Sequence, residues 1–271
     1  MLHPSLVSLA VLAAAVSVAT AASGCDGLAE GPEGVVTEVV DGNTVSLDSG
    51  IVVRLLGIAA PRPAGPRGQA AEPLATEART ALSTLIAGNT VRLGLDDEET
   101  DRYGRMEAQL FIAAPDGTWV QQAMVAEGLA RAYVTSTSRR CATELMASEA
   151  VARQNGVGIR SDPYYSVRDA GDPAALAGRD GRYEIIEGNV LGTGETQGRV
   201  YIDFGRVWKD DVTATLDRKA LALFAATSID PLALRGRRVR IRGWLQSHDG
   251  PLVELAVPEQ IEVLGPNDDF H

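Results

Sequence analysis

Val39-Val40-Asp41-Gly42-Asn43-Thr44-Val45-Ser46-Leu47, followed by Val53-Arg54-Leu55-Leu56-Gly57-Ile58-Ala59-Ala60-Pro61-Arg62, is the stretch from which the architecture of this chain follows. A β-rich run ends at Asp41-Gly42, and alternation resumes through Val45 and Leu47. Asp48-Ser49-Gly50 then makes a second turn. The pattern predicts a hairpin running into a third strand. Arg54 interrupts an otherwise apolar strand, and burying a guanidinium alone is too costly. It must be paired or must point into a polar cleft.

Two further segments extend the pattern: Thr100-Asp101-Arg102-Tyr103-Gly104-Arg105 and the helical run Val120-Gln121-Gln122-Ala123-Met124-Val125-Ala126-Glu127-Gly128-Leu129-Ala130. Together the four motifs resemble the staphylococcal nuclease (thermonuclease) family. There the corresponding elements read V-x-D-G-D-T, R-L-x-G-I-D-x-P-E, T-D-x-Y-G-R and N-x-x-L-V-x-x-G-L-A. The resemblance implies an OB-type five-stranded barrel with packed helices and a calcium-dependent phosphodiesterase chemistry. That chemistry uses carboxylates for Ca²⁺, a glutamate that activates water, and two arginines that clamp the phosphate. Ca²⁺ is a hard ion that prefers anionic oxygens, and bidentate arginine matches a phosphate.

Carried over residue by residue, the arginine positions hold Arg54 and Arg105, while Asp41 and Asn43 stand as remnants of the metal site. The second metal carboxylate has become Ala59, the neighbouring threonine Ala60 and the glutamate Arg62. No metal site is therefore assigned, although the family implies Ca²⁺. A guanidinium cannot accept a proton. General-base help is worth roughly 10²–10⁴ in rate and one electrostatic stabiliser roughly 10²–10³. The site is expected to be degenerate in Ca²⁺-dependent cleavage. An active endonuclease would need relocated ligands, for which Asp96-Asp97-Glu98-Glu99 is the candidate, though an acidic run is ordinarily a solvated loop. Two roles stay open for Arg54 and Arg105: binding phosphate or another anion, and internal salt bridging with Asp41 or another carboxylate. Tyr103 and Tyr133 fall where cleft-lining aromatics are implied, either stacking on a base or sitting at the barrel edge. Trp119 is expected to pack on the barrel.

The coarse pattern gives strands near 35–40, 44–47, 51–57, 90–95 and 106–113, with helices near 72–87, 119–127 and 139–155. This is an α+β chain, mainly β. Residues 25–33 read as a polar tether, 34–160 as the thermonuclease-like domain, and 161–181 as a linker. Residues 182–265 read as a second, smaller OB-like barrel, with 266–271 a disordered tail. Five strands and a helix near 218–226 are expected in the second barrel, which resembles the C-terminal part of some bacterial thermonuclease-like proteins. Its Arg238, Arg240 and Arg242 lie on one strand face, opposite Val239 and Ile241. They offer either a strip for a polyanion or a solvated face paired with acids. The segment carries 11 basic and 12 acidic residues, which favours the solvated face.

Residues 1–24 read as an export signal, since Leu6 to Ala22 is apolar, alanine-rich and ends in small residues. Ala19-Thr20-Ala21 suits ordinary cleavage to a periplasmic or secreted protein. Ala22-Ser23-Gly24-Cys25 resembles a lipobox, implying lipidation of Cys25 and membrane anchoring. Without the lipid, Cys25 could pair with Cys141, the other cysteine, in an oxidising compartment. Only His3, His248 and His271 are histidines, which argues against a zinc site or a Ser-His-Asp triad. The net charge is −11, from 25 basic and 36 acidic residues, and only Lys209 and Lys219 are lysines. That balance counts against bulk nucleic-acid binding and leaves room for a local arginine cleft. The expected function is a phosphate-, nucleic-acid- or envelope-binding module, with single-stranded nucleic acid as one ligand. The alternatives are the active endonuclease and an envelope lipoprotein with no nucleic-acid role. Enzymatic activity is left open, and no protein partner is assigned.

Overall fold

The computed structural model describes Cys25 and residues 27–265, apart from 67, 97–99, 114–116, 208 and 248–249. The leader, most of the acidic run, the three histidines and the tail lie outside the described residues.

The first half is built from β1 (Ala29–Asp41), β2 (Thr44–Leu47), β3 (Val52–Leu55), β4 (Ile58–Ala59), α1 (Ala75–Ile86), β5 (Thr90–Leu95), β6 (Met106–Ile112), α2 (Val120–Ala126), β7 (Arg131–Ala132) and α3 (Ala142–Gln154). The strands form a closed barrel in the order β1-β2-β3-β6-β5. Val39 faces Val45 and Asp41 faces Thr44 across the Gly42–Asn43 turn. Residues of period two point inward: Val45, Leu47, Val53, Leu55, Val91, Leu93, Ala108 and Leu110 are buried. Each of these valine and leucine side chains contributes about 1.5–3 kcal/mol on burial.

β1 begins earlier than the sequence pattern suggests. Its first half pairs with β5, Glu30 opposite Gly94 and Gly34 opposite Val91, while its second half pairs with β2. Most of the expected tether at 25–33 is thus barrel strand, because one long strand must serve two neighbours for the sheet to close. α1 buries Ala75, Ala78, Leu82 and Ile86 at helical spacing and starts only after Pro73. Trp119 is buried as expected, its Nε1–H donating to Gln109 Oε1 at 2.9 Å.

The second half adds β8 (Arg168–Asp169), β9 (Tyr183–Asn189), β10 (Gly192–Thr196), β11 (Arg199–Asp203), β12 (Thr213–Leu216), α4 (Arg218–Phe224), β13 (Arg238–Ser247), β14 (Pro251–Glu254) and β15 (Ile261–Val263). The sheet runs β10-β11-β12-β14-β13-β9-β8, with β15 also on β13. This repeats the strand order of the first barrel. A parallel pair, β3 with β6 or β12 with β14, closes each set, and α1 or α4 precedes the fourth strand. β9 and β10 together take the place of β1, broken at Val190–Leu191. There the Val190 N–H donates to Arg237 O and the Leu191 N–H to Asp203 O, so the chain steps from one neighbour to the other.

The linker segment 161–181, whose two tyrosines suggest that it packs on a domain, does pack. Arg168 pairs with Ile186 in β9, Ala170 and Leu176 join the second core, and the Tyr165 hydroxyl donates to Pro73 O at 2.7 Å. The arginine ladder is neither a strip for polyanions nor a solvated face. Arg240 binds Glu187 and Glu262, and Arg242 binds Glu262 and Glu149 of α3. Arg242 is 1% exposed and Glu149 is fully buried at 0%. Glu149 also accepts the Ala132 N–H at 3.0 Å and forms ion pairs with Arg160 at 2.7 Å and Arg153 at 3.5 Å. Sequence alternation shows which side of a strand is polar, but not that a helix with a buried carboxylate covers that side.

Cys25 and Cys141 form a disulfide with their Cα atoms 4.7 Å apart, fastening the start of the described chain to the N-cap of α3. A lipid thioether would need the same sulfur. Disulfide and lipidation are therefore alternatives at Cys25, and the pairing is the one this structure holds. Among the described residues no helix is long and apolar enough to cross a membrane.

Candidate functional site

A cleft of about 650 Å³ opens where the β1–β2 turn, β3, the strand pair β4–β7 and the turn before β6 meet. β4 and β7 were not legible in the sequence, because two-residue strands carry no periodicity. Their pairing of Ile58 with Ala132 and Ala59 with Arg131 sets Tyr133 beside Gly57, whose carbonyl accepts the Tyr133 N–H at 2.8 Å. Gly57, at φ +84°, turns the chain sharply from β3 into β4, a conformation that favours glycine.

The cleft gathers Asp41, Asn43, Arg54, Tyr103, Arg105 and Tyr133, so every site residue the motifs singled out lines it, apart from Cys25. Arg54 lies on β3 opposite Glu107 of β6, and their side chains approach to 3.7 Å. Arg105 is held by Asp101, with Nε at 2.8 Å and Nη2 at 2.7 Å from Oδ2. Gly104, at φ +75°, lets the turn close so that Asp101 Oδ1 also accepts the N–H groups of Tyr103 and Arg105. Burial works against the charge on Asp101, but the Arg105 guanidinium and these N–H groups outweigh it, and its carboxyl is held below the usual range. Both arginines are thus partnered, by Glu107 and Asp101 rather than by Asp41, and both still face the cavity.

Asp41 is occupied locally, its Oδ1 accepting the Asn43 N–H at 2.9 Å. The Asn43 amide N–H donates to Ile58 O at 3.5 Å, and Ala59 brings only a methyl group. Ca²⁺ takes about six to eight oxygen ligands, with carboxylates prominent among them. One carboxylate and one amide do not make that set, so the residues present do not fit the ion. Among the described residues no three His, Cys, Asp or Glu side chains gather in a metal-holding cluster. The relocated-ligand candidate at 96–99 lies mostly outside the described residues, and Asp96 itself binds Arg140. Arg62 is pinned by Glu72, which accepts from its backbone N–H and Nε, each at 2.9 Å.

Tyr103 is 68% exposed, with the guanidinium carbons of Arg102 and Arg105 at 4.9 and 5.2 Å from its ring centre. Tyr133 is half-buried in an aromatic cluster that sequence reasoning missed. Its ring stands edge-on to Tyr183 and Trp244, at 5.2 and 6.1 Å. Arg131 lies against Tyr183 at 5.1 Å. Burial pushes the Tyr183 hydroxyl up, and it donates to Ala132 O. Five arginines and four carboxylates line the cleft, a small positive balance inside a chain of net charge −11. A second cavity, of about 660 Å³, lies on the outer face of β11, β12 and β14. It holds none of the motif residues.

A closed five-stranded barrel with an arginine-bearing cleft is an OB-type architecture. Residues 52–162 match the family of staphylococcal nuclease homologues, and the chain carries a domain of that family. No curated protein matches the chain. The match begins at β3, so β1, β2, Asp41 and Asn43 precede it, and the second half follows it.

Proposed function

We infer that this protein binds phosphate groups of nucleic acid in the cleft between the β1–β2 turn and the Tyr103–Arg105 turn, and that it has little Ca²⁺-dependent nuclease activity. One juxtaposition carries this reading. Arg54 and Arg105 face a single cavity, while the positions for metal and base hold an amide, a methyl and a guanidinium. Arginine retained without the anionic seat suits recognition better than hydrolysis. The partnering of both arginines supports an exchange in which phosphate oxygens compete with Glu107 and Asp101 for the guanidinium donors.

The test is dialysed protein incubated with single-stranded DNA and a panel of Ca²⁺, Mg²⁺ and Mn²⁺. The expected outcome is cleavage no faster than the buffer control, with salt-sensitive binding weakened in Arg54→Ala and Arg105→Ala. Metal-dependent cutting that disappears in those two variants would refute the binding-only view. Absence of both cutting and binding would remove the nucleic-acid role altogether.

We also infer export to an oxidising compartment. The apolar leader at 1–24 and the pairing of Cys25 with Cys141 support it, since such bridges persist mainly outside the reducing cytosol. Fractionation with N-terminal sequencing tests this. A mature chain starting at Met1 in the cytoplasm would count against it.

A further inference from the structure

We propose that Trp244, supplied by the second half of the chain, is the platform on which an unpaired nucleobase stacks when a strand occupies the arginine cleft. The inference rests on the nucleic-acid reading above and deepens it. It selects single-stranded nucleic acid with free bases over any ligand that offers phosphate alone.

Trp244 lies outside the residues that match the nuclease family, yet its ring lines the same cleft as Arg54 and Arg105. It is 36% exposed, although large apolar side chains on these strands are otherwise mostly buried. The ring is fixed rather than loose. Its Nε1–H donates to the Tyr133 hydroxyl at 3.2 Å, and its centre stands 5.8 Å from Tyr183, its register partner on β9. Two residues earlier on β13, Arg242 is locked into Glu149 and Glu262. The strand that presents the indole is therefore anchored to α3 of the first half. A ring already immobilised loses little entropy when a ligand stacks on it.

The surroundings select the chemistry. Arg62 lies over the indole ring, 5.6 Å from its centre, and is itself held by Glu72, so one face of the ring already carries a cation and a base stacks on the other or takes that cation's place. An aromatic face beside guanidinium groups accepts the π-face of any base while the backbone phosphate meets arginine. A duplex keeps its bases stacked on one another, so the strand must be single. Arg62, which takes the place of the family's water-activating glutamate, gains a role here in binding rather than in catalysis.

The experiment uses the full-length protein in chelator, with two labelled probes read by fluorescence anisotropy: an eight-nucleotide oligothymidylate and an abasic phosphodiester of the same length. One base on one aromatic ring is worth roughly a five- to 150-fold gain in affinity, so the oligothymidylate is expected to bind tighter by that factor. Trp244→Leu should bring the two probes within about twofold of each other. Trp244→Phe should keep most of the difference. Equal binding of both probes by the native protein would overturn the proposal, as would an undiminished gap in Trp244→Leu. Should Trp244→Leu also lose the abasic probe, Trp244→Phe decides: a retained base preference supports stacking and a lost one refutes it. Failure to bind either probe would instead sink the nucleic-acid reading, and the stacking role with it.

Discussion

Replacing Glu149 by glutamine should loosen the joint between the two halves. The substitution keeps volume and shape but removes the one anion shared by Arg242, Arg160 and Arg153. One amide oxygen can still accept the Ala132 N–H and face Arg160, as Oε1 does now. The amide nitrogen then takes the place of Oε2, which lies 2.8 Å from Arg242 Nη1, setting donor against donor. Breaking a buried pair by removing one partner costs about 3–5 kcal/mol. Arg242 keeps Glu262, which argues for the lower end, about 3 kcal/mol. With a urea m-value of about 2–3 kcal/mol/M, the midpoint should fall by about 1–1.5 M. The comparison is Glu254→Gln, whose partner Arg199 lies at 3.4 Å on the surface and whose loss should cost no more than about 1 kcal/mol. Urea unfolding followed by tryptophan emission and far-ultraviolet dichroism provides the measurement. If Glu149→Gln costs no more than Glu254→Gln, the seam is not held by this carboxylate and the reasoning fails.

Acid should act through the same group. Burial raises the Glu149 carboxyl, but Arg242, Arg160 and Arg153 together outweigh it and hold the group well below its ordinary value of 4.5. A depressed folded value means the stabilisation is fully present above pH 4.5 and is lost as pH falls through the folded value. The urea midpoints of native protein and Glu149→Gln should therefore converge as pH drops below 4.5, and a constant gap down to unfolding would contradict this. Cys25→Ser should destabilise the chain by about 4.8 kcal/mol, the loop-closure entropy for a separation of 116 residues. Native protein that unfolds at the same urea concentration with and without reductant would count against that contribution.

Much of the first barrel was legible because its signals are local. Asp41-Gly42 sits between alternating strands, and the buried face of α1 repeats at helical spacing. The cleft was legible too, since four motifs name its residues. Their partners were not. Glu107 meets Arg54 through strand register, and Glu72 meets Arg62 across a loop, so neither pairing has a sequence signal. β10, reading Gly-Thr-Gly-Glu-Thr, has no apolar alternation to mark it. Glu149 did leave a trace: Ala142, Leu145, Glu149 and Ala152 form one buried stripe of α3, and a lone acid on such a stripe demands a cation. Trp244 was silent, because a tryptophan ending an arginine-rich strand carries nothing that says which half it faces.

The doubled use of β1 has a practical consequence for anyone trimming the gene. A fragment cut to the limits of the recognised domain, 52–162, would discard two of the five staves of its own barrel. β3 and β5 would become raw edges, open to pairing with other molecules. Cys141 would emerge as an odd thiol, and Glu149 would forfeit its contact from beyond the cut. The boundaries at which kinship is recognisable are thus narrower than those at which this protein can stand.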